Sequence, residues 1–267
     1  MTAMASTIQH GECELLHCFS LTISAERLGE FAGILTALTF AGMIFLADRR
    51  PDKHPRIEDT LIMFVAAFIS LAVATYLFTG AAAEEVQSFR AAFESFCASM
   101  ALSIALQLLL LGIAQLMRDH EFPGVARFAA GVGKWVAALI IFGFMSLTAI
   151  SAAGLMKPTS QEFDSAVAIG VAVFAVTLIV WMLFLSTLPR LRNRFREGWP
   201  GPTRWAKFCL IIISIVSVLT AIWAERSAST SMAEAGYLAL MALLLLATMG
   251  YAGQLTDIQR EPTIKRR

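Results

Sequence analysis

The residues best suited to chemistry lie near the start of the chain, in the run His10-Gly11-Glu12-Cys13-Glu14-Leu15-Leu16-His17-Cys18. Half of the histidines and half of the cysteines of the whole chain fall within it. In a helix, His10, Cys13 and His17 follow a 3–4 spacing and share one face, as a set of soft metal ligands must. Thiolate and imidazole together suit Zn²⁺ or Cu(I). Two readings compete with metal binding. Cys13 and Cys18 could form a disulfide in an oxidising compartment, or Leu15, Leu16 and Phe19 could hold an amphipathic leader on a membrane surface. The spacing matches no common zinc pattern, so the surface-lying leader is the favoured reading and no metal is assigned.

A second group is acidic. Glu30, Glu94, Glu225 and Glu234 stand at the ends of apolar runs, with Glu84, Glu85, Glu162 and Asp164 between runs. A ring of carboxylates at a pore mouth would attract cations. Arg27, Arg90 and Arg226 stand beside them in sequence, and neutralisation at the headgroup level is the simpler expectation, since charges at helix ends reach water cheaply. Gln107, near the middle of an apolar run, is expected to hydrogen-bond across a helix interface rather than to a solute. Lys134 falls near the end of another run, where it can snorkel to the interface. In Pro189-Arg-Leu-Arg-Asn-Arg-Phe-Arg196, arginines alternate with other residues, and Trp199 and Trp205 follow. That pattern suits anionic lipid headgroups, and the same charges fix topology.

These groups need elements to carry them, and composition says which kind. The 267 residues are 57% hydrophobic and 15% charged, with a mean hydropathy of +0.68. A soluble domain is roughly one-quarter charged, and a globule of this size could not hide so much apolar surface from water. Lipid is the solvent that accepts it. A net charge of +1 gives no bulk attraction to nucleic acid.

Seven apolar runs, 28–47, 60–80, 91–117, 129–155, 165–188, 207–224 and 235–255, are each long enough for a bilayer core, which needs about 20 helical residues and at least roughly 17. Inside lipid each backbone amide must be satisfied within its own segment, so these are helices. All eight prolines (Pro51, Pro55, Pro123, Pro158, Pro189, Pro200, Pro202, Pro262) lie between or beyond the runs, where they cost no helical hydrogen bond.

Side follows from Lys and Arg. Alternate connecting segments hold Arg49, Arg50, Lys53, Arg56; Arg118, Arg127; Arg190, Arg192, Arg194, Arg196, Arg204, Lys207; and Arg260, Lys265, Arg266, Arg267. The others hold only Arg27, Arg90, Lys157 and Arg226. Sixteen against four is a regular alternation, and it persists only for an odd number of spans. The expected architecture is therefore an all-α polytopic transmembrane bundle of seven spans, N-terminus outside and C-terminus cytoplasmic. Residues 1–27 form an external leader, 28–255 the membrane domain and 256–267 a basic cytoplasmic tail. No positive n-region precedes the first run, so no secretory signal peptide is expected.

Helices in lipid associate through small residues at close contacts. Ladders in steps of four stand in four runs: Gly29, Gly33, Ala37, Ala41; Ala66, Ser70, Ala74; Ala91, Ser95, Ser99, Ser103; and Ala129, Gly133, Ala137. Each ladder is expected to face a neighbouring helix, and Cys97 and Cys209 to act as small packing residues. Trp205 and Trp223, eighteen residues or about 27 Å apart along a helix, are expected to mark the two interfacial belts.

Several activities are argued against. The last run has no lysine for a retinal Schiff base, and Met117-Arg118-Asp119-His120 replaces the Asp-Arg-Tyr of hormone receptors. His10, His17, His54 and His120 all fall outside the runs, so no intramembrane haem pair exists. There is no His-Glu-x-x-His sequence and no pair suited to intramembrane proteolysis. The chain is read as a non-enzymatic, multi-pass membrane component, without cofactor, serving as an accessory, sensing or assembly subunit. Its surroundings are lipid, a homo-oligomer or another membrane protein, and the bacterial inner membrane is the expected location. The rival is an oligomeric small-solute or ion pathway, a channel or transporter with outer carboxylates at its mouth.

Overall fold

The computed structural model describes residues 21–48, 57–83, 89–119, 122, 124–135, 175, 179, 183, 187, 202–225, 243–244, 246–256 and 258. Regular structure among them is entirely α-helical. Helix α1 spans Leu21–Ala47, α2 Ile57–Ala82 and α3 Phe89–Asp119. Helix α4 covers 124–135, α5 is Pro202–Glu225, and α6 comprises the described helical residues 243–258.

Three of these helices are long and apolar enough to cross a membrane: α1, α2 and α3. At 1.5 Å per residue the 31 residues of α3 extend about 46 Å, more than a hydrocarbon core of about 30 Å. The helices outrun their apolar centres because polar ends can continue into the headgroups. Glu58 and Asp59 sit in the first turn of α2, and Arg118 in the last turn of α3, each complementing the helix dipole. Pro202 opens α5, the one helical position where its missing N–H and fixed φ are advantages.

The outer surface is apolar. Ile34, Leu38, Ile44 and Phe45 on α1, Phe128 and Trp135 on α4, and the helical residues Ile179 and Leu183 are all exposed. Water would not tolerate such continuous patches, and lipid does. The hydroxyls follow the same logic. Thr36, Ser70, Thr75, Ser99, Ser103, Ser214, Thr248 and Thr256 each donate to the carbonyl four residues back, at 2.6–2.9 Å. These hydroxyl donors are thereby satisfied within their own helices, without water.

Burial orders the bundle. Of the most apolar window, 78% is buried in α3, 50% in α2 and 17% in α1, so α3 is the hub and α1 the outermost of the three. The α2 and α3 ladders are buried throughout: Ala66, Ser70 and Ala74 on one, Ala91, Ser95, Ser99 and Ser103 on the other. Phe64 of α2 is the wedge between helices. A Cβ built on Gly42 of α1 would lie 3.4 Å from its ring, and one on Gly112 of α3 only 2.7 Å from it.

The α1 ladder departs from expectation. Gly29 and Gly33 do face α2, at Phe78 and Thr75, but Ala37 and Ala41 are exposed. The positions turned inward run instead through Ala25, Gly29, Ala32, Thr36, Thr39, Met43 and Leu46. This is a 3–4 alternation, the period of two helices packed at a shallow angle. A strict step of four advances about 40° each time at 3.6 residues per turn. Over three steps a ladder therefore walks off the contact.

Candidate functional site

Polar groups inside an apolar bundle are the places to look for function, and α3 carries half of the buried ones described. Ser95, Ser99, Ser103, Gln107 and Gln115 are all buried, as are Thr248, Gln254 and Thr256 on α6. The two sets meet at Gln107, which is 1% exposed. Its Nε2 donates to Thr248 Oγ1 at 3.2 Å, the interhelical bond expected of that glutamine. Thr248 in turn donates to Leu244 O at 2.8 Å. With the threonine proton on Leu244 O, its oxygen accepts from the amide, and the nitrogen is assigned toward α6.

Next to this node α6 grips two more helices. Trp205, 2% exposed, lies in the first turns of α5 and sends its indole N–H to Ala247 O at 3.1 Å. Gly250 makes the approach possible, because a Cβ there would stand 2.5 Å from Trp205 Nε1. The Trp205 and Tyr251 rings stack obliquely at 5.9 Å. The Tyr251 hydroxyl sits against Gly133 of α4, where a Cβ would be 2.7 Å away. Two glycines thus admit two aromatic rings. Trp205 is therefore a staple inside the bundle and not a ring facing the headgroups, a correction to the belt assignment. Hydropathy alone cannot separate the two roles; Gly250, opposite, is the signal that does.

The other sequence candidates fall as follows. His10, Cys13, His17 and Cys18 lie outside the described residues, as do Glu84, Glu85, Glu162, Asp164 and Glu234. Among the described residues no group of three or more His, Cys, Asp or Glu could hold a metal ion. Glu30 is exposed and pairs with Arg27 at 3.4 Å one turn away, the neutralising arrangement anticipated for the acidic group. Glu94 is different, at 6% exposure, with Oε2 3.0 Å from a Cβ built on Gly80 of α2. Cys97 and Cys209 are free and buried, as packing residues would be. Lys134 is half-buried on α4. Reading the sequence missed one polar contact altogether: Thr203 at the start of α5 donates to Asp59 Oδ1 at the start of α2. Both residues stand just inside their helix starts, and neither is unusual in sequence.

The arrangement around Gln107, Trp205 and Tyr251 offers hydrogen bonding and close packing. No protein-family model, characterised protein or solved structure matches the chain.

Proposed function

We propose that this chain is a seven-span, multi-pass component of the bacterial inner membrane, N-terminus outside and C-terminus cytoplasmic. In this reading it works through helix contacts as an accessory, sensing or assembly subunit, without catalytic chemistry of its own. One observation carries the reading: the hub helix keeps serine protons within itself and ties its central amide to a neighbouring helix. Ser99 and Ser103 return their protons to α3 itself, and Gln107 is tied to α6. A lining for permeating solute would need such groups turned toward a path. Among the described residues, the outward face of α1 offers partners an exposed apolar surface at Ile34, Leu38 and Ile44. Anionic headgroups would meet Arg204 and Lys207, both exposed at the start of α5.

Two measurements test this. Flux of small ions and neutral solutes into liposomes should match protein-free controls; flux that Glu94→Ala diminishes would establish the pathway reading in its place. Labelling of single cysteines placed near residues 5 and 263 should mark opposite compartments. Labelling from one side only would end the odd span number and the side assignments with it.

A further inference from the structure

We infer that the crossing of α3 and α6 holds a small, uncharged hydrogen-bond donor of about the size of water, accepted by Gln107 Oε1 near the middle of the span. The inference stands apart from the proposed function, since it concerns one atom and what must meet it. Gln107 Oε1 is fully buried, and no donor among the described residues reaches it. Turning the amide over does not remove the shortfall: Oε1 would take the Thr248 proton from Leu244 O, and Nε2 would be left in its place without that acceptor. An amide oxygen buried without a partner is costly in a protein interior, and lipid offers no rescue. Buried polar groups that protein atoms leave unmatched are ordinarily met by an enclosed molecule with two to four polar partners.

Chemistry around the atom sets the class of ligand. Ser103, one turn before Gln107 on α3, donates to Ser99 O at 2.8 Å, so its oxygen retains only lone pairs. Thr248 is likewise committed as a donor. One N–H of the Gln107 amide remains; every other polar contribution of these three side chains is an acceptor. The site therefore selects a molecule that donates. It also selects a neutral one: residues 95–117 of α3 and 243–256 of α6 contain no Asp, Glu, Lys or Arg, so a bare cation would find no counter-charge at that depth. Water fits, and so does a small alcohol.

The test uses the full chain, labelled with ¹³C,¹⁵N-glutamine and leucine and reconstituted in lipid bilayers, with solid-state NMR transfer from mobile solvent protons. Transfer to the Gln107 side chain should build up several-fold faster than to the side chains of Leu108 and Leu111, which are buried at the same depth. A second arm adds methanol in deuterated buffer, so that only the alcohol's methyl protons are the source. Fast transfer in the first arm identifies water as the occupant; transfer only in the second identifies a dissolved neutral donor. If Gln107 is no faster than Leu108 in both arms, the site is dry and the inference is overturned. The comparison lies within one wild-type protein, so it does not depend on a variant folding.

Discussion

Replacing Gly250 with alanine tests the junction of α5 and α6 most directly. The new Cβ would stand 2.5 Å from Trp205 Nε1 and 2.6 Å from Cδ1, where ordinary contact begins near 3.4 Å. The indole must therefore retreat by about an ångström, a distance set by the same contact geometry. It has nowhere to go cheaply, since it is 2% exposed and stacked on Tyr251. Moving it also stretches its bond to Ala247 O beyond 3.1 Å. Overpacking a core costs roughly 1–3 kcal/mol, and stranding a buried donor about 1–3 kcal/mol more. Part of the two overlaps, so the expected loss is about 2–4 kcal/mol. Reversible unfolding in mixed micelles, followed by tryptophan fluorescence and circular dichroism, measures it. Gly124→Ala is the control, because nothing lies within 4 Å of a Cβ there. A smaller side chain at the partner position should relieve the clash, so Gly250→Ala combined with Trp205→Leu should be less harmful than the sum of the two. If Gly250→Ala is as stable as wild type, or the two losses simply add, the indole does not rest on Gly250.

Three other outcomes follow from the same packing. Gly112→Ala drives a methyl into the Phe64 ring at 2.7 Å and should lower unfolding stability by roughly 1–3 kcal/mol, with Phe64→Leu restoring part of it. A double-mutant cycle of Gln107→Leu and Thr248→Val should give a coupling near 0.6 kcal/mol, and no more than about 1.7, the range for interhelical hydrogen bonds in membranes; zero coupling would mean the 3.2 Å contact is not held in the bilayer. Glu30→Gln should leave stability unchanged within about 0.5 kcal/mol, because its pair with Arg27 is exposed on both sides, and a larger effect would show that Glu30 has another partner.

The sequence made helices and their medium legible because both depend on sums over many residues. Twenty apolar positions in a row leave no alternative to a helix in lipid. Helices α2 and α3 overrun their expected runs by two or three residues at each end, and α1 ends at Ala47 as expected but starts at Leu21, within the expected leader. Contacts depend on single residues and on angle, and there the reading was partial. Gln107 was legible because an amide in the middle of an apolar helix must find a partner, although nothing pointed to Thr248. The second half of the α1 ladder, Ala37 and Ala41, leaves the contact because a step of four is not a straight line along a helix of 3.6 residues per turn. Trp205 was misplaced because tryptophan serves equally at the interface and in a core when its N–H is met. What decided between them was a carbonyl 42 residues away, and a linear reading does not bring that into view.

Helix α6 explains why so much of the bundle rests on distant contacts. Its residues accept the indole N–H of α5, accept the amide of α3 from 141 residues earlier, and lay Tyr251 and Leu255 on Gly133 of α4. Helices in a bilayer are each stable alone and associate afterwards, so the earlier helices can insert before this partner exists. Until α6 arrives, the Trp205 N–H and the Gln107 amide lack the acceptors they have in the finished bundle, and both are then paired by one helix. One helix thus supplies the acceptors for side chains of two others. Helix α1 stands at the other extreme, packed chiefly on α2 and mostly open to lipid. The bonds that tie α6 to α3 and α5 involve no residue of α1, so a change on the exposed face of α1 leaves them in place.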